Sequence, residues 1–363
     1  MFGQNDILPI YLDAAESGDL RARVVGSLWW DRNRSGEQIP ELVERRGSGG
    51  AGRFRPTTVK IMLDGVAENF TAAMTEPYLD GCGCATENSG LSFVDPVGLR
   101  EYVTRLDDLG FQVHFHALGD RAVREALDAI EAARDANGPT SGRHHLAHLQ
   151  VVHPDDVPRF ARIDATANIQ ALWAAHEPQM DELTIPFLGD RRAAWQYPFA
   201  DIVRAGGALA AGSDWAVSSA DPMDGIHVAV NRTAPDAPAG TEPLDIGNSL
   251  TLAAALTAYT AGSARVNNLD DSTGRLASGL LADLCVLDRD PFAHRTAEIA
   301  DATVTRVAGS DDEYRFAALV TPDSFGVTWA ARRLGHPLPE RVTGVDLMAR
   351  LCAHCATSGH RIY

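Results

Sequence analysis

Two rhythms of apolar residues run along this chain. Short apolar runs, often β-branched, alternate with longer segments in which apolar residues recur every third or fourth position. The first rhythm predicts buried strands and the second amphipathic helices. Strands are expected over residues 21–30, 57–63, 111–116, 144–149, 165–170 and 208–212. Helices are expected over 7–15, from Pro96 to Gly110, and over 120–136, 154–163, 198–205 and 248–260. Asp95 before Pro96 is a cap followed by proline at the first helical position. Residues 45–53, RRGSGGAGR, read as a flexible loop from their glycine content. Residues 64–93 read as a long irregular loop, and long loops inside compact domains are usually functional or disordered. Residues 274–289 read as a turn followed by strands.

Strands that alternate with helices imply right-handed βαβ units and a parallel sheet. No G-x-x-x-x-G-K-[ST] loop accompanies them, which argues against a nucleotide-binding sheet. The distinctive polar residues stand at strand ends: Lys60, His116, His148 and Asp214. In a (β/α)8 barrel the carboxyl ends of all strands meet at one mouth, so four such residues would converge. The predicted class is therefore α/β, of the (β/α)8 TIM-barrel type. A barrel over residues 1–270, a small β segment over 271–310 and a tail over 311–363 complete the expected organisation.

Composition narrows the function. The 363 residues are 45% hydrophobic and 22% charged, as expected of a soluble globular protein. A formal net charge of −17 makes nucleic acid and anionic membrane surfaces poor partners. Five cysteines in a chain of this length are no disulfide scaffold, and a reducing cytoplasm is the expected location. No apolar run reaches the ~20 residues that span a bilayer.

Of the 32 Lys and Arg residues only one, Lys60, is lysine. Arginine stays protonated, whereas a buried lysine amine can lose its proton and react. Two histidines, a carboxylate and a lysine suit metal binding better than nucleophilic catalysis, and no serine sits in a G-x-S-x-G elbow. Singly, each residue has an ordinary explanation: a snorkelling lysine, packed core histidines, and an Asp214 that caps a turn. Strand alternation puts His114 on the same face as His116, as a neighbour of a ligand or as core.

In order along the chain, TTVKIMLDG, VHFHALGDRA, HHLAHLQVVHPDDVPRF and LAAGSDWAV resemble successive signatures of the amidohydrolase superfamily. The likeness is closest to the amidohydrolase-3 branch, which includes N-substituted formamide deformylases. It runs from about residue 21 to 292, and GRLASGLLADLCVLD is similar to strands of the β-sandwich beside the barrel. The resemblance implies a metal-dependent hydrolase of amide or N-formyl C–N bonds. Lys60 would carry a carbamate formed from carbon dioxide and bridge one or two ions, zinc or another divalent metal. His116, His148 and Asp214 would complete the metal ligands. Asp214 would also be the catalytic base on the attacking water. The loops over residues 64–93 and 173–197 would wall the pocket of a small amide-like substrate, with Trp173, His176 and Trp215 as contacts and a homodimer left open. Cyclic amide, ester or phosphoester hydrolysis on the same scaffold is the alternative chemistry.

Family members begin their metal site with a His-x-His pair on the first strand, and here no histidine precedes His114. The resemblance therefore implies a partial (β/α)8 TIM-type barrel, holding about strands 3 to 8 with remnants of the β-sandwich, and a chain that lacks the N-terminal part of such an enzyme, as a fragment, a mis-started frame or an inactive copy. Near the other end, Cys352-x-x-Cys355 with His360 has the look of half a zinc site, and an incidental tail is the expectation. An incomplete barrel leaves strand edges unpaired. The purified chain is expected to aggregate readily and to be inactive or nearly so. Rapid turnover by chain 1–363 with tightly held metal would contradict this.

Overall fold

The computed structural model describes residues 8–308, apart from 21 and 282. The chain opens with α1 (Leu8–Glu16), β1 (Val24–Trp29), α2 (Ile39–Ser48) and β2 (Phe54–Met62). It then alternates through α3 (Pro96–Asp108), β3 (Gln112–Ala117), α4 (Asp120–Asn137), β4 (His145–His148), α5 (Val157–Arg162) and β5 (Thr166–Ile169). Three short helices follow, α6 (Pro178–Leu183), α7 (Ile185–Leu188) and α8 (Asp190–Ala193), before α9 (Phe199–Arg204) and β6 (Ala208–Ala211). The remainder holds α10 (Pro222–Asn231), α11 (Leu252–Thr257), α12 (Ser263–Val266), β7 (Leu284–Leu287) and β8 (Val304–Ala308).

β1 to β6 form one sheet, all parallel, in the order of the sequence. Unbroken sequential order is the progression of a barrel; a doubly wound sheet reverses at a switch point. The fold is therefore the partial (β/α)8 barrel expected. β7 and β8 pair antiparallel as a separate ribbon. An ion pair of 2.6 Å between Arg23 and Asp283 ties that ribbon to the start of β1. Among the described residues no helix is long and apolar enough to cross a membrane.

The core lies between the sheet and its helices. Val59, Ile61, Val113, Phe115, Leu146 and Ala167 are fully buried on the strands. Leu99, Val103 and Leu106 of α3 and Ala122, Val123, Ala126, Leu127 and Ile130 of α4 meet them. These are the three-to-four-residue spacings that predicted the helices, and each large side chain contributes about 1.5–3 kcal/mol on burial. The Asp95 carboxylate accepts from the Gly98 amide at 2.8 Å, so the predicted cap is in place.

Several expectations are corrected. Residues 45–48 are helical, because Pro40 starts α2 and buried Ile39 and Leu42 anchor it; the loop begins only at Gly49. Gly47 to Gly52 happen to carry the G-x-G-x-x-G spacing, but they end a helix and precede a strand, the reverse of the dinucleotide-binding order. The stretch between Trp173 and Tyr197 holds three helices where a loop was expected. α10 was not foreseen; Asp221 caps it by accepting from the Met223 amide at 2.9 Å. The helix expected over 248–260 is divided, with a π turn at Ala258–Gly262 between α11 and α12. There Gly262 lies so close to β6 that a Cβ would stand 2.2 Å from the Leu209 carbonyl oxygen.

Beneath the sheet His144 donates from Nε2 to the Asp107 carboxylate at 3.0 Å and accepts at Nδ1 from the Val113 amide at 3.0 Å. Asn137 and Thr140 also donate to Asp107, at 2.8 and 2.6 Å. Burial alone would raise this carboxyl, but hydrogen bonds from His144, Asn137 and Thr140 hold it down to about 2. A depressed carboxyl contributes stability that is present above its unfolded value near 3.8 and lost as pH falls towards 2. Asp107→Asn should lower stability at pH 7 by about 1–3 kcal/mol and flatten the acid limb of the stability curve below pH 4. Urea unfolding at a series of pH values reads both effects.

Candidate active site

β2 carries Lys60 into the sheet beside His114 of β3, with which it is in register. The Lys60 amine donates to His114 Nε2 at 2.9 Å. Burial, and then the charge of Lys60, push His114 well below the ordinary histidine range, so His114 is the neutral acceptor. Burial also lowers Lys60 itself to about 7, against the opposing pull of Asp214. An amine poised near neutrality is reactive in a way no arginine could be. The row continues across the sheet, His114 pairing with His145 and His145 with Thr166. The His114 and His145 rings lie 4.3 Å apart, and burial lowers His145 to about 3.

One layer nearer the carboxyl edge stands His116. Its Nε2–H donates to the Gly65 carbonyl at 3.1 Å, which leaves the lone pair on Nδ1. Such a carbonyl partner is what orients a metal-binding imidazole. Burial is the main reason that His116 falls to about 4. Behind it the Asp64 carboxylate, wholly buried, accepts from the amides of Ala73, Leu118 and Gly119 at 2.9, 3.1 and 2.8 Å. Burial pushes Asp64 up to about 7 despite these bonds.

His148 ends β4 with φ of 81°, and Leu149 follows at 54°. Left-handed backbone is uncommon for such residues and clusters at functional sites. The turn is held by the Gln170 side chain, which accepts from the His148 amide at 2.9 Å. The His148 ring meets His116 edge-on at 4.5 Å and stacks on Trp173 at 5.3 Å. Its Nδ1 is buried with no partner. Asp214 stands in the turn after β6, also left-handed at 53°. It is exposed at its rim, and incomplete solvation raises its carboxyl while the Lys60 charge lowers it.

The structure thus brings Lys60, His116, His148 and Trp173 together, with Asp214 near enough to feel Lys60. His176 pairs with Asp181, its Nδ1 2.5 Å from the carboxylate. Trp215 follows Asp214, and no ring contact joins it to the histidines among the described residues. Among those residues no group of three or more His, Cys, Asp or Glu side chains could hold a metal ion. The donors that do converge fit part of a metal shell: two facing imidazoles, each with a nitrogen uncommitted to protein, and one amine. Sequence reasoning left His114 undecided and missed His145, Gln170 and Asp64. Only the alternation in His114-x-His116 hinted at a polar row inside the sheet.

The model of the amidohydrolase family matches residues 3–310. The chain belongs to the amidohydrolase family. N-substituted formamide deformylase of Arthrobacter pascens is 28% identical to this amidohydrolase over 259 residues, 70% of the chain and 44% of that protein. Protein LONG AFTER FAR-RED 3 of Arabidopsis thaliana is 29% identical over 257 residues, 70% of the chain and 42% of that protein. The chain therefore spans less than half the length of these curated relatives. A solved structure of an uncharacterized metal-dependent hydrolase from Pyrococcus horikoshii OT3 superposes with a TM-score of 0.66 at 25% identity, covering 80% of the chain and 56% of that one. A second family, the glycosyl transferase WecG/TagA/CpsF family, matches residues 297–363. Cys352, Cys355 and His360 fall there, outside the described residues.

Because Lys60 is the chain's only lysine, its titration can be read without interference. Acylation by an amine reagent, followed by peptide mapping, should label Lys60 half-maximally near pH 7. Asp214→Asn removes a charge that raises the Lys60 value and should move that midpoint lower. A midpoint near 10.5, the ordinary lysine value, would contradict the burial argument.

Proposed function

We propose that this site hydrolyses C–N bonds other than peptide bonds, amide or N-formyl, with one or two divalent ions, zinc or another metal. The observation that carries the reading is the facing pair His116 and His148 beside an amine of lowered pKa, at the carboxyl edge of an amidohydrolase sheet. The deformylase relative names the substrate chemistry that the reading borrows.

His116, through Nδ1, and His148 would hold the metal, with Asp214 and a carboxylated Lys60. A bound divalent ion would lower the pKa of water to about 7 and polarise the substrate carbonyl. The residues themselves do the rest. The neutral Lys60 amine adds to carbon dioxide through nitrogen, forming the N–C bond of a carbamate as one proton leaves to water. Asp214 takes the proton of the attacking water and returns it to the nitrogen of the leaving amine, and the C–N bond breaks. Trp173, stacked on His148, is an apolar wall that keeps bulk water from one side. His176 and Trp215 would contact the rest of a small amide-like substrate, in the cytoplasm and without nucleic acid or membrane.

A second reading is an inactive relative of such enzymes. One observation favours it: among the described residues no group of three or more His, Cys, Asp or Glu side chains could hold a metal ion. Metal analysis separates the two readings. On the first, the chain retains zinc after dialysis, and His116→Ala or His148→Ala releases it. Lys60→Ala leaves at most a single ion. Any N-formyl amine turnover, however slow, should fall about 10²–10⁴-fold in Asp214→Asn. On the second, neither metal nor turnover is found. Ester hydrolysis without amide hydrolysis would point to the alternative chemistry.

A further inference from the structure

We propose that the Cys82-Gly83-Cys84 turn, at the tip of the long loop after β2, is a two-thiolate binding site for a soft d10 cation of the copper(I) class. The site is independent of the hydrolytic reading. Three cysteines lie among the described residues, Cys82, Cys84 and Cys285, and all three are free and exposed. Cysteine is among the residue types most often buried, so two exposed thiols flanking one glycine are unusual.

The turn that carries them is built rather than loose. Leu79 and Ala85 bridge antiparallel at its base. The Asp80 amide donates to the Cys84 carbonyl at 2.8 Å, and the Gly83 amide to the Asp80 carbonyl at 3.0 Å. One oxygen of the Asp80 carboxylate accepts from the amides of both Cys82 and Cys84, at 2.8 and 2.9 Å. The backbones of both cysteines are thereby drawn around a single atom. Gly83 has φ of 77°, and no atom lies within 4 Å of where its Cβ would stand. The glycine is there for its left-handed backbone and not for want of room, so the conformation of the pair is set by the sequence itself. Among the described residues neither thiol is in a disulfide.

The chemistry of the pair selects the ligand. Among the described residues no third His, Cys, Asp or Glu joins the two thiols, and two donors do not serve ions that demand four, such as structural zinc. Copper(I) is soft and accepts two thiolates alone. On binding, each thiol gives its proton to water and its sulfur to the cation, with no change of oxidation state. The Asp80 charge in the same turn, on a chain of net charge −17, favours a cation. A dithiol also outcompetes any single thiol, because its second sulfur is already at hand.

The test uses the full chain, reduced and titrated anaerobically with copper(I) against a glutathione excess. Cys352→Ser/Cys355→Ser serves as background, since that pair is the other close dithiol in the sequence. One equivalent should survive the glutathione. Cys82→Ser and Cys84→Ser should each weaken retention at least tenfold, with the far-UV circular dichroism unchanged because both residues are exposed. Cys285→Ser should have no effect. Copper that is retained in Cys82→Ser/Cys84→Ser, that is lost with Cys285 or with the Cys352/Cys355 pair, or that glutathione strips from the background chain would overturn the proposal.

Discussion

The buried Asp64 carboxylate is the contact on which the site rests. It stands two residues past the end of β2, and it accepts amide hydrogens from Ala73 in the long loop and from Leu118 and Gly119 where β3 turns into α4. The long loop and the β3–α4 turn are thus pinned to one side chain. A buried acceptor with no donors would cost several kcal/mol, so the loop has little freedom to leave. The adjacent Gly65 carbonyl is consequently placed where it receives the His116 Nε2–H. The tautomer of the first candidate ligand is decided by an aspartate that would not itself touch substrate.

A similar dependence runs through His148. Its left-handed backbone is kept in place by Gln170, and its ring is confined between His116 and Trp173. Below this layer Lys60 leans on His114, and the neighbouring His145 and Thr166 extend a polar row into what would otherwise be an apolar barrel interior. His145 Nδ1 and Thr166 Oγ1 in that row are buried without partners. Apolar residues of similar volume would pack in that row at least as well.

The strand and helix pattern was largely legible because the central strands β3 to β5 are buried on both faces and the long covering helices show one apolar stripe. Lys60, His116, His148 and Asp214 were legible as polar residues within or after apolar runs, but Lys60 lies inside β2 and not at its end. Legibility failed where local composition and tertiary context disagree. The glycines of 45–53 suggested a loop, but Ile39 and Leu42 hold the segment helical through Ser48. α10 was hidden because its face is apolar through contacts distant in sequence. The pairing of His176 with Asp181 could not be read, because a helix that was taken for loop sets it.

By itself the sequence determined the succession of strands, the single lysine among arginines, the order of the four motifs and the absence of any histidine before His114. These follow from residue type and spacing, which need no third dimension. Only the tertiary structure decided which polar groups meet. Register, a property of pairs of strands, set Lys60 against His114 and left His116 one layer above. Burial, a property of the whole packed sheet, brought the Lys60 amine down to about 7. A lysine is unremarkable in a list of residues, and it becomes a candidate nucleophile towards carbon dioxide only when the surrounding protein takes water away from it.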